Sequence, residues 1–563
     1  MDTSLRPRHL AFLFAACCAA GACAATADHS ELEATLFAPY KADARAGAGA
    51  AASEARTFTL NFDYPGLAGP RAVRWQLELM APSGAVLQRW KGTAVLFREP
   101  VSVPVRWSGS APGAPLPAGI YRVRMRAAAL DASAARVVPR GEEVEQSWEI
   151  AVGQSAAPAM PRFAPLPSTR GALAQAAPAP ASLPFRVYLG NLHSQTSDSD
   201  GGGDLATCKG AQDPQAGKYG PGAAFAYARG RGLDLLVASE HNHMYDGSDG
   251  SNPDADAAAA KARYHAGLAT AARFSAANPG FLAVYALEWG VISNGGHLNI
   301  FNSAELLGWE QNARGELIAD TRTPRSDYAA LYTLMKSRGW VGQFNHPSYS
   351  GQFVVNGVSL GYSADGDEVM ALCEVVNSTA FSSNQAETET RRSNFEIACN
   401  KALEAGYHVA FSSNQDNHCA NWGASYTNRT AVLVPAGKPL TQASFIEALK
   451  ARRVFATMDK GSQLVLTANG HMMGERFANR GPLKLEVNFA STAGKQVASV
   501  ALMEGVPGRN GTVTQLSATS LTTITPAAGA HFYYAKVTQA DGNILWSAPV
   551  WVTQAGRGAR ARR

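Results

Sequence analysis

The sequence predicts a multidomain protein in which a central α/β barrel lies between two all-β sandwiches. Three observations predict this: the chain of 563 residues is too long for one compact domain, its flanking blocks show strand patterning, and its central block alternates strands with helices. In order, we expect a signal peptide at 1–27, a β-sandwich at 55–152, an Ala/Pro-rich linker at 153–184, the barrel at 185–453, a second β-sandwich at 454–554 and a basic tail at 555–563.

The N-terminus has the pattern of a secretory signal peptide. Arg6 and Arg8 precede a short apolar run, and the small residues of "ATA" predict cleavage before Asp28. The apolar run is too short to span a bilayer. The alternative is lipid attachment at Cys23 in "AGAC", which lacks the usual apolar residue three positions earlier. We therefore expect an exported protein, periplasmic or extracellular, with no transmembrane segment.

Removing this signal leaves four cysteines, and an even number favours disulfides in an exported protein. The chain has no C-x-x-C spacing, which argues against a structural zinc cluster. Four cysteines permit three pairings. Of these we favour Cys373 with Cys399 and Cys208 with Cys419.

The charge balance argues against nucleic acid as a partner. The formal net charge of +5 is small for this length, and the basic tail "RGARARR" is more typical of a solvated end. No basic stripe interleaved with aromatics occurs elsewhere. A small-molecule substrate is the expected partner.

The flanking blocks have period-two patterning. Runs such as "RTFTLNFDY", "AVRWQLELM" and "GIYRVRMRAAA" in the first, and "SQLVLTANG" and "LKLEVNFAS" in the second, are bounded by Gly and Pro. The first block resembles the immunoglobulin-like modules appended to exported bacterial proteins. Between it and the central block, "AAPAPASLP" is typical of a linker.

The central block alternates helical patterns with short apolar runs. The runs "FRVYLGNL", "LDLLVAS", "FLAVYAL", "GWVGQFN", "ALCEVVN" and "HVAFSSN" suit buried parallel strands. Four segments predict helices: "PGAAFAYARGRG", "DADAAAAKARYHAGLATAARFSAANPG", "SDYAALYTLMKSRG" and "SNFEIACNKALEAG". In the last, Ser393 and Glu396 have the spacing of a capping box. This alternation predicts a closed or nearly closed α/β barrel.

Imidazoles and carboxylates follow almost every predicted strand of the central block. Barrel active sites form where strands end, so these side chains should converge on one rim. Each alone is typical of a loop or a structural carboxylate, but together they predict a metal centre. Mixed His and carboxylate ligands suit zinc, manganese or iron. The residues are His193, Glu240, His241, Glu288, His297, His346, Asp416 and His418.

Five motifs of this block carry a family resemblance. "NLHSQTSDSDG", "ASEHN", "LEWG" with "GHL", "FNHP" and "SSNQDNH" resemble, in order and spacing, the motifs of the polymerase and histidinol phosphatase (PHP) metallohydrolases. The resemblance covers 185 to about 453 and implies a distorted (β/α)7 TIM-like barrel holding two or three divalent metals. In the last block, "NGHMMGE" and "WSAPVWV" are similar to exported members grouped with carbaryl-type hydrolases.

The resemblance implies a role for each motif residue. His193, Glu288 and Asp416 would hold the first metal and form the catalytic centre, and Glu288 would bridge to a second metal held by His297 and His346. A third metal would be held by Asp200, His241 and His418. A metal-bridging hydroxide would then hydrolyse a phosphate ester or, alternatively, an amide or carbamate.

Two residues depart from the family pattern. Gln195 stands where a second ligand histidine is usual, and Glu240 stands in place of an Asp beside His241. A glutamine amide is a weaker ligand, so one metal should be held more loosely. This departure keeps open a catalytically impaired, metal-stabilised binding or scaffold protein. Further residues could contact substrate or support the ligands: His243, Glu374, Asn421 and Trp422.

Overall fold

The structure is a computed structural model, and it describes most of the chain outside the two termini. The described residues are 32–42, 54–64, 67, 69–97, 99–111, 114–130, 143–153, 156–168, 183–291, 295–347, 354–355, 358–359 and 361–556. The expected signal peptide, the alternative lipid site at Cys23, residues 169–182 of the expected linker and the basic tail from 557 lie outside them.

The N-terminal region is built from antiparallel strands in two main sheets. The sheet orders are β1-β2-β5 and β4-β3-β8-β9, and Phe58 on one packs edge-on against Trp90 on the other, with ring centroids 6.1 Å apart. The strands are β1 (Glu33–Phe37), β2 (Arg56–Asp63), β3 (Arg71–Met80), β4 (Val86–Leu96), β5 (Val101–Trp107), β6 (Ser110–Ala111), β7 (Ala114–Pro115), β8 (Gly119–Ala129) and β9 (Glu143–Val152).

The central region contains all six of the α-helices found among the described residues. They are α1 (Pro221–Arg231), α2 (Ala257–Ala277), α3 (Tyr328–Arg338), α4 (Ala364–Val369), α5 (Glu396–Ala405) and α6 (Gln442–Lys450). Its strands are β10 (Phe185–Asn191), β11 (Leu235–His241), β12 (Leu282–Val291), β13 (Gly296–Ile300), β14 (Leu307–Gly308), β15 (Thr321–Arg322), β16 (Gly342–Phe344), β17 (Val354–Val355), β18 (Val358–Ser359), β19 (Met370–Ser378), β20 (Arg392–Asn394), β21 (Ala410–Asn414) and β22 (Arg429–Pro435).

Most of the central strands form one mixed sheet, whereas β14 with β15 and β17 with β18 form separate two-stranded sheets. Parallel pairs join β10 to β11, β11 to β12, β16 to β19 and β19 to β21. Antiparallel pairs join β12 to β13, β13 to β16 and β10 to β22. The sheet therefore contains both parallel and antiparallel pairs. The strands that carry the metal-ligating residue types are neighbours in it.

The prediction of a central α/β barrel, and of the distorted (β/α)7 form that the family resemblance implied, is wrong. The structure is mostly β, with 43% strand and 16% helix. The sequence "GHLNI" forms the antiparallel strand β13 directly after β12, and β22 returns antiparallel to β10. From β22 the sheet then runs on into the C-terminal region. The regular β/α alternation that a barrel needs is thus broken at both places.

The C-terminal region continues the central sheet. β22 pairs with β23, and β23 pairs with β32 through Phe455–Ser547, Ala456–Trp546 and Thr457–Leu545. A separate four-stranded sheet has the order β25-β24-β27-β30. The strands are β23 (Val454–Thr457), β24 (Ser462–Ala468), β25 (His471–Met472), β26 (Arg476–Asn479), β27 (Leu483–Ser491), β28 (Val497–Gly505), β29 (Thr514–Ser517), β30 (Leu521–Ile524), β31 (Gly529–Gln539), β32 (Ile544–Ser547) and β33 (Val550–Gln554).

The helix α5 does not begin with the predicted capping box. Ser393 lies in β20, and the residue before the helix, Phe395, makes no side-chain cap. The carboxylate of Glu396 turns away from the helix start and accepts hydrogen bonds from Tyr534 at 2.8 Å and Lys536 at 3.3 Å. The Glu396 carboxylate therefore makes a tertiary contact and does not take part in the capping box that the local sequence predicts.

Two disulfides connect the central region, Cys208–Cys419 and Cys373–Cys399. These are the favoured pairings, and they fit a protein that folds in an oxidising compartment. Among the described residues, no helix has the length and apolar character to cross a membrane. Part of the expected linker is ordered: Leu166 is buried, and its N–H donates to the Gln463 side chain at 2.8 Å.

Candidate metal centre

Strand register brings the first site residues together. His241 ends β11 and lies beside Glu288 of the parallel strand β12. The antiparallel strand β13 places His297 opposite Gly290, two residues beyond Glu288. Residues from separate motifs therefore meet because three neighbouring strands place them at the same level.

Glu288 lies at the middle of the cluster and is fully buried. Its Oε1 is 3.1 Å from Nδ1 of His297 and 3.3 Å from Nε2 of His346. Its Oε2 is 2.9 Å from Nε2 of His193 and 3.7 Å from Nε2 of His241. Burial disfavours the charged carboxylate, but the surrounding histidines hold its pKa well below its usual value.

His193 is held by three carboxylates. Its Nε2 lies 2.9 Å from Glu288 and 3.1 Å from Oδ1 of Asp416, and its Nδ1 lies 3.3 Å from Oε1 of Glu374. Burial alone would lower the pKa of His193, but the negative charges of these groups raise it well above its usual value. The cluster therefore attracts positive charge at this position.

Asp416 and His418 lie on the segment after β21. Asp416 has a φ of +51°, and its backbone N–H donates to the carbonyl of His193 at 3.0 Å. Burial opposes ionisation of its carboxyl, but His193 and His418 lower its pKa. Left-handed backbone at a non-glycine residue persists where surrounding contacts fix it, and such positions concentrate at functional sites.

Asp200 lies on the loop after β10 and completes a further group. Its carboxylate oxygens are 3.8 Å from Nε2 of His241 and 3.4 Å from Nε2 of His418. The loop has a tight backbone: Gly202 has a φ of +71°, and a Cβ there would lie 2.1 Å from the carbonyl of Tyr219. The glycine is required by this close approach.

Three groups of ligating atoms result, and within each group all atoms lie within 4.8 Å of one another. Glu288 belongs to two of them and His241 to two, so that the three form one continuous cluster. None of the three contains a cysteine. His and carboxylate groups of this kind can hold metal ions. The groups are His193–Glu288–His346, His241–Glu288–His297 and Asp200–His241–His418.

Gln195 points into this cluster. Its Nε2 donates a short hydrogen bond to Oε2 of Glu288 and a second one, at 3.2 Å, to the carbonyl of Ser239. Its Oε1 is buried and has no hydrogen-bond partner among the described residues. A buried amide oxygen without a donor is costly unless something positive approaches it. This feature fits a cation in the cluster.

The structure does not place Glu240 in any of the three groups. Alternation along β11 turns it to the opposite face from His241, where its carboxylate accepts hydrogen bonds from the hydroxyls of Thr196 at 2.7 Å and Ser199 at 2.6 Å. Burial, followed by the negative charge of Asp198, raises the pKa of Glu240 to about 8. Glu240 supports the loop that carries Asp200.

The remaining predicted residues lie around the cluster. His243 stacks on Trp309 with centroids 5.9 Å apart, and its Nε2 is 3.5 Å from Asp249. Asn421 donates to two loop carbonyls, at 2.6 and 2.7 Å. Trp422 is buried and donates to the carbonyl of Gln195 at 2.8 Å. Asn421 and Trp422 therefore support loops, whereas Glu374 contacts His193 directly.

One residue of the cluster was missed by the sequence analysis. Nδ2 of Asn345 donates to Oε1 of Glu288 at 2.7 Å and to Oδ1 of Asn299 at 2.9 Å. Asn345 stands immediately before His346 in "FNHP", directly after a strand. This position could have identified it as a residue of the site. Its amide orients the central carboxylate.

The cluster is slightly exposed on one side. The side chains of His346 and Asp416 are 15% and 10% exposed, whereas those of His193, His241, Glu288, His297 and His418 are at most 1% exposed. A pocket of about 110 Å³ lies against His346 and Asp416. We call it the side pocket. Its central-region wall includes Asn377 and Phe381, and its other wall, from the N-terminal region, includes Leu32 and Gln146.

No protein-family model and no curated protein sequence matches the chain. Among solved structures, it is similar to a Parabacteroides merdae β-glucuronidase, with 8% identity over 94% of this chain and 65% of that chain, at a TM-score of 0.16. A Bacteroides uniformis β-glucuronidase matches with 10% identity over 92% of this chain and 61% of that chain, at 0.14. Fibronectin(III)-like modules of Clostridium thermocellum CbhA match with 12% identity over 25% and 70%, at 0.14. Likenesses this low assign neither a fold nor an activity to the chain.

Proposed function

We propose that this protein is a metal-dependent hydrolase with phosphate esters as its first substrate class. The single observation that carries the proposal is the shared use of Glu288 and His241, which joins three groups of ligating atoms into one buried cluster. The resemblance of the five strand-end motifs to the PHP metallohydrolases supports the same activity.

The ligand set would be the members of those three groups together with Asp416, which lies 3.1 Å from His193. Bound divalent cations would polarise a phosphoryl or carbonyl oxygen and lower the pKa of water towards neutrality. The mixture of imidazole and carboxylate donors suits zinc, manganese or iron.

The chain's own residues preorganise this cluster. Glu374 holds Nδ1 of His193 at 3.3 Å, which leaves Nε2 directed at Glu288 and Asp416. Such carboxylate–histidine pairs fix the tautomer and orientation of a ligand ring. Asn345 fixes Glu288 in the same way through its amide. Burial excludes bulk water and strengthens every charge interaction inside the cluster.

The test combines elemental analysis with turnover. We expect the purified protein to contain two or more zinc, manganese or iron ions and to hydrolyse p-nitrophenyl phosphate. His241→Ala removes a residue shared by two groups, so we expect it to lose more than one ion and about 100-fold or more of the turnover, since changes outside the ligand shell alone cost up to that much.

The matched control is His265→Ala, whose half-exposed imidazole pairs with Asp320 at 3.0 Å, away from the cluster. It should keep both metal content and turnover. A wild-type protein that binds metal yet hydrolyses no phosphomonoester, phosphodiester or carbamate would contradict the proposal.

A second candidate activity is amide or carbamate hydrolysis by the same cluster. The observation that favours it is the lining of the side pocket, in which none of the described residues is a lysine or arginine that could pair with a phosphate. A naphthyl carbamate assayed beside p-nitrophenyl phosphate separates the two. Turnover of the carbamate alone would replace the first candidate with the second.

Gln195→His tests whether the native cluster is impaired. It returns an imidazole to the position that donates to Glu288. Activity that appears only in this variant would mean that the native chain uses its metal cluster for binding or stability.

A further inference from the structure

The side pocket is formed jointly by the N-terminal and central regions. Gln146 comes from β9, and Asn377 from β19, and both line the pocket that touches His346 and Asp416. A substrate whose reacting bond reached the metal cluster from this side would contact both regions. The N-terminal strands are then part of the active site.

Gln146 brings a buried donor to this pocket. The residue has no exposed surface, and its Oε1 accepts a hydrogen bond from the backbone N–H of Asn394 at 2.6 Å. Because a backbone N–H can only donate, this contact fixes which end of the amide is oxygen. The remaining Nε2 is buried without a hydrogen-bond partner among the described residues.

Asn377 brings a buried acceptor from the opposite wall. Its Nδ2 lies 3.4 Å from Oε2 of Glu374, which assigns the nitrogen to the carboxylate side. Its Oδ1 is buried and likewise has no partner among the described residues. Unsatisfied buried polar atoms are few in native proteins, and two of them on residues that line one pocket need a common explanation.

We propose that the side pocket is a substrate subsite for a neutral polar group, a hydroxyl or an amide, which accepts from Nε2 of Gln146 and donates to Oδ1 of Asn377. This inference rests on the proposed hydrolase function and narrows its substrates. The pocket volume of about 110 Å³ limits the group to a few heavy atoms. The lining also includes the apolar side chains of Leu32 and Phe381, which suit a short carbon chain, beside the polar residues Glu33 and Ser393.

The first test measures preference between two esters of similar size, glycerol 3-phosphate, which carries hydroxyls, and propyl phosphate, which does not. We expect the wild-type protein to favour glycerol 3-phosphate about tenfold in kcat/KM, as one or two neutral hydrogen bonds contribute. Gln146→Met keeps the length of the side chain and removes the donor, so the ratio should fall to about one, mainly through KM.

Two further variants keep this test decisive. Asn377→Ala removes the acceptor from the other wall and should lower the same ratio if Gln146→Met fails to fold. Gln88→Met, on β4 of the same region and outside the pocket lining, should leave the ratio unchanged. A wild-type ratio near one, or a ratio that survives both pocket variants, overturns the subsite.

Failure of the hydrolase proposal has a different signature. If the wild-type protein hydrolyses neither ester, the subsite is tested by saturation-transfer NMR with acetamide as the probe. Wild type and Gln88→Met should then show acetamide binding that Gln146→Met lacks. Equal signals from the three proteins overturn the subsite independently of any turnover.

Discussion

The two β regions that flank the cluster of ligating residues are attached to the central region in different ways. The C-terminal region shares a continuous ladder with it, from β22 through β23 to β32. The N-terminal region is joined through side chains: Gln146 binds the backbone of Asn394 in the central region, and Glu149 binds Lys536 in the C-terminal region at 2.8 Å. The C-terminal strands are therefore one body with the central sheet, whereas the N-terminal strands dock onto it.

Because they are attached differently, we expect the two regions to have different roles. A backbone ladder is cooperative and extends the core, so the C-terminal region stabilises the strands that carry the ligands. Side chains that make the docking contacts can be substituted without disrupting the pairing of strands in a sheet. The docked region also lines the side pocket. Under the proposed function, changes in this region would alter substrate preference while the cluster of ligating residues stays fixed.

The largest effect should come from Lys536, where the three regions meet. Its buried ammonium lies 2.8 Å from Glu149 and 3.3 Å from Glu396. Lys536→Met leaves two carboxylates without their cation, and we expect the free energy of unfolding to fall by about 3–5 kcal/mol in urea titrations. Lys484→Met, at an exposed pair with Glu486, is the control and should change it by less than about 1 kcal/mol. Equal losses would show that the junction carries no special stability.

The same junction predicts a pH dependence. Burial would raise the pKa of Glu149, but Lys536 and its other donors lower it below the usual 4.5. A lowered pKa in the folded state means stability that is present above pH 4.5 and lost as the pH falls below it. In Lys536→Met the acid-induced loss should shrink or reverse, because protonation then relieves an unpaired buried charge. An unchanged pH profile of the melting temperature would argue against this pairing.

The ladder itself is probed at Leu545, which is fully buried and pairs with Thr457. Leu545→Ala should cost about 2–5 kcal/mol and leave the central and C-terminal regions unfolding in one transition, because their strands share that sheet. Leu521→Ala, at a 53% exposed side chain, should cost little. Separate calorimetric transitions for the central and C-terminal regions would contradict their continuous attachment.

A smaller effect is expected at Thr538, whose hydroxyl donates to Glu149 at 2.8 Å. Thr538→Val removes this bond but leaves Lys536 in place, so we expect a loss of about 1–2 kcal/mol in the free energy of unfolding. A loss as large as that of Lys536→Met would mean that packing rather than charge holds the junction.

The smallest effect should come from the outer face of the docked region. Arg89 pairs with Glu78 at 2.7 Å, but its side chain is 54% exposed and Arg124 holds the same carboxylate. Arg89→Ala should therefore change the free energy of unfolding by less than about 1 kcal/mol. A larger change, measured at low and high salt, would point to a charge network that stabilises this face.

Helices and buried strands of the central region could be predicted because their signals are local. The helix α3 runs from Tyr328 to Arg338, within the predicted segment, and ends at Gly339 with a φ of +68°. Its buried residues, Tyr328, Leu331, Tyr332 and Met335, have the spacing of one helix face. Whether the strands close into a barrel could not be predicted from local signals. Strand direction depends on pairing partners far along the chain, and a short strand such as β13 has no periodicity of its own.

The ligand cluster was predicted in part for the same reason. His193 follows β10 and Glu288 lies in the last half of β12. Both positions come directly after apolar runs that are visible in sequence. Glu240 has the right chemistry, but the one-residue alternation of β11 turns it away from His241. Asn345 and Gln146 contribute amides, which occur everywhere in sequences and gain meaning only from what surrounds them.

The disulfide between Cys208 and Cys419 should couple its own formation to metal binding by the cluster of ligating residues. It ties the loop that follows Asp200 to the segment that carries Asp416 and His418, and its cysteines have a sequence separation of 211. Since such bonds form in oxidising compartments, we expect the cluster to reach full metal affinity only once this disulfide has formed. Metal content should accordingly fall when this bond is removed in the Cys208→Ser, Cys419→Ser double variant.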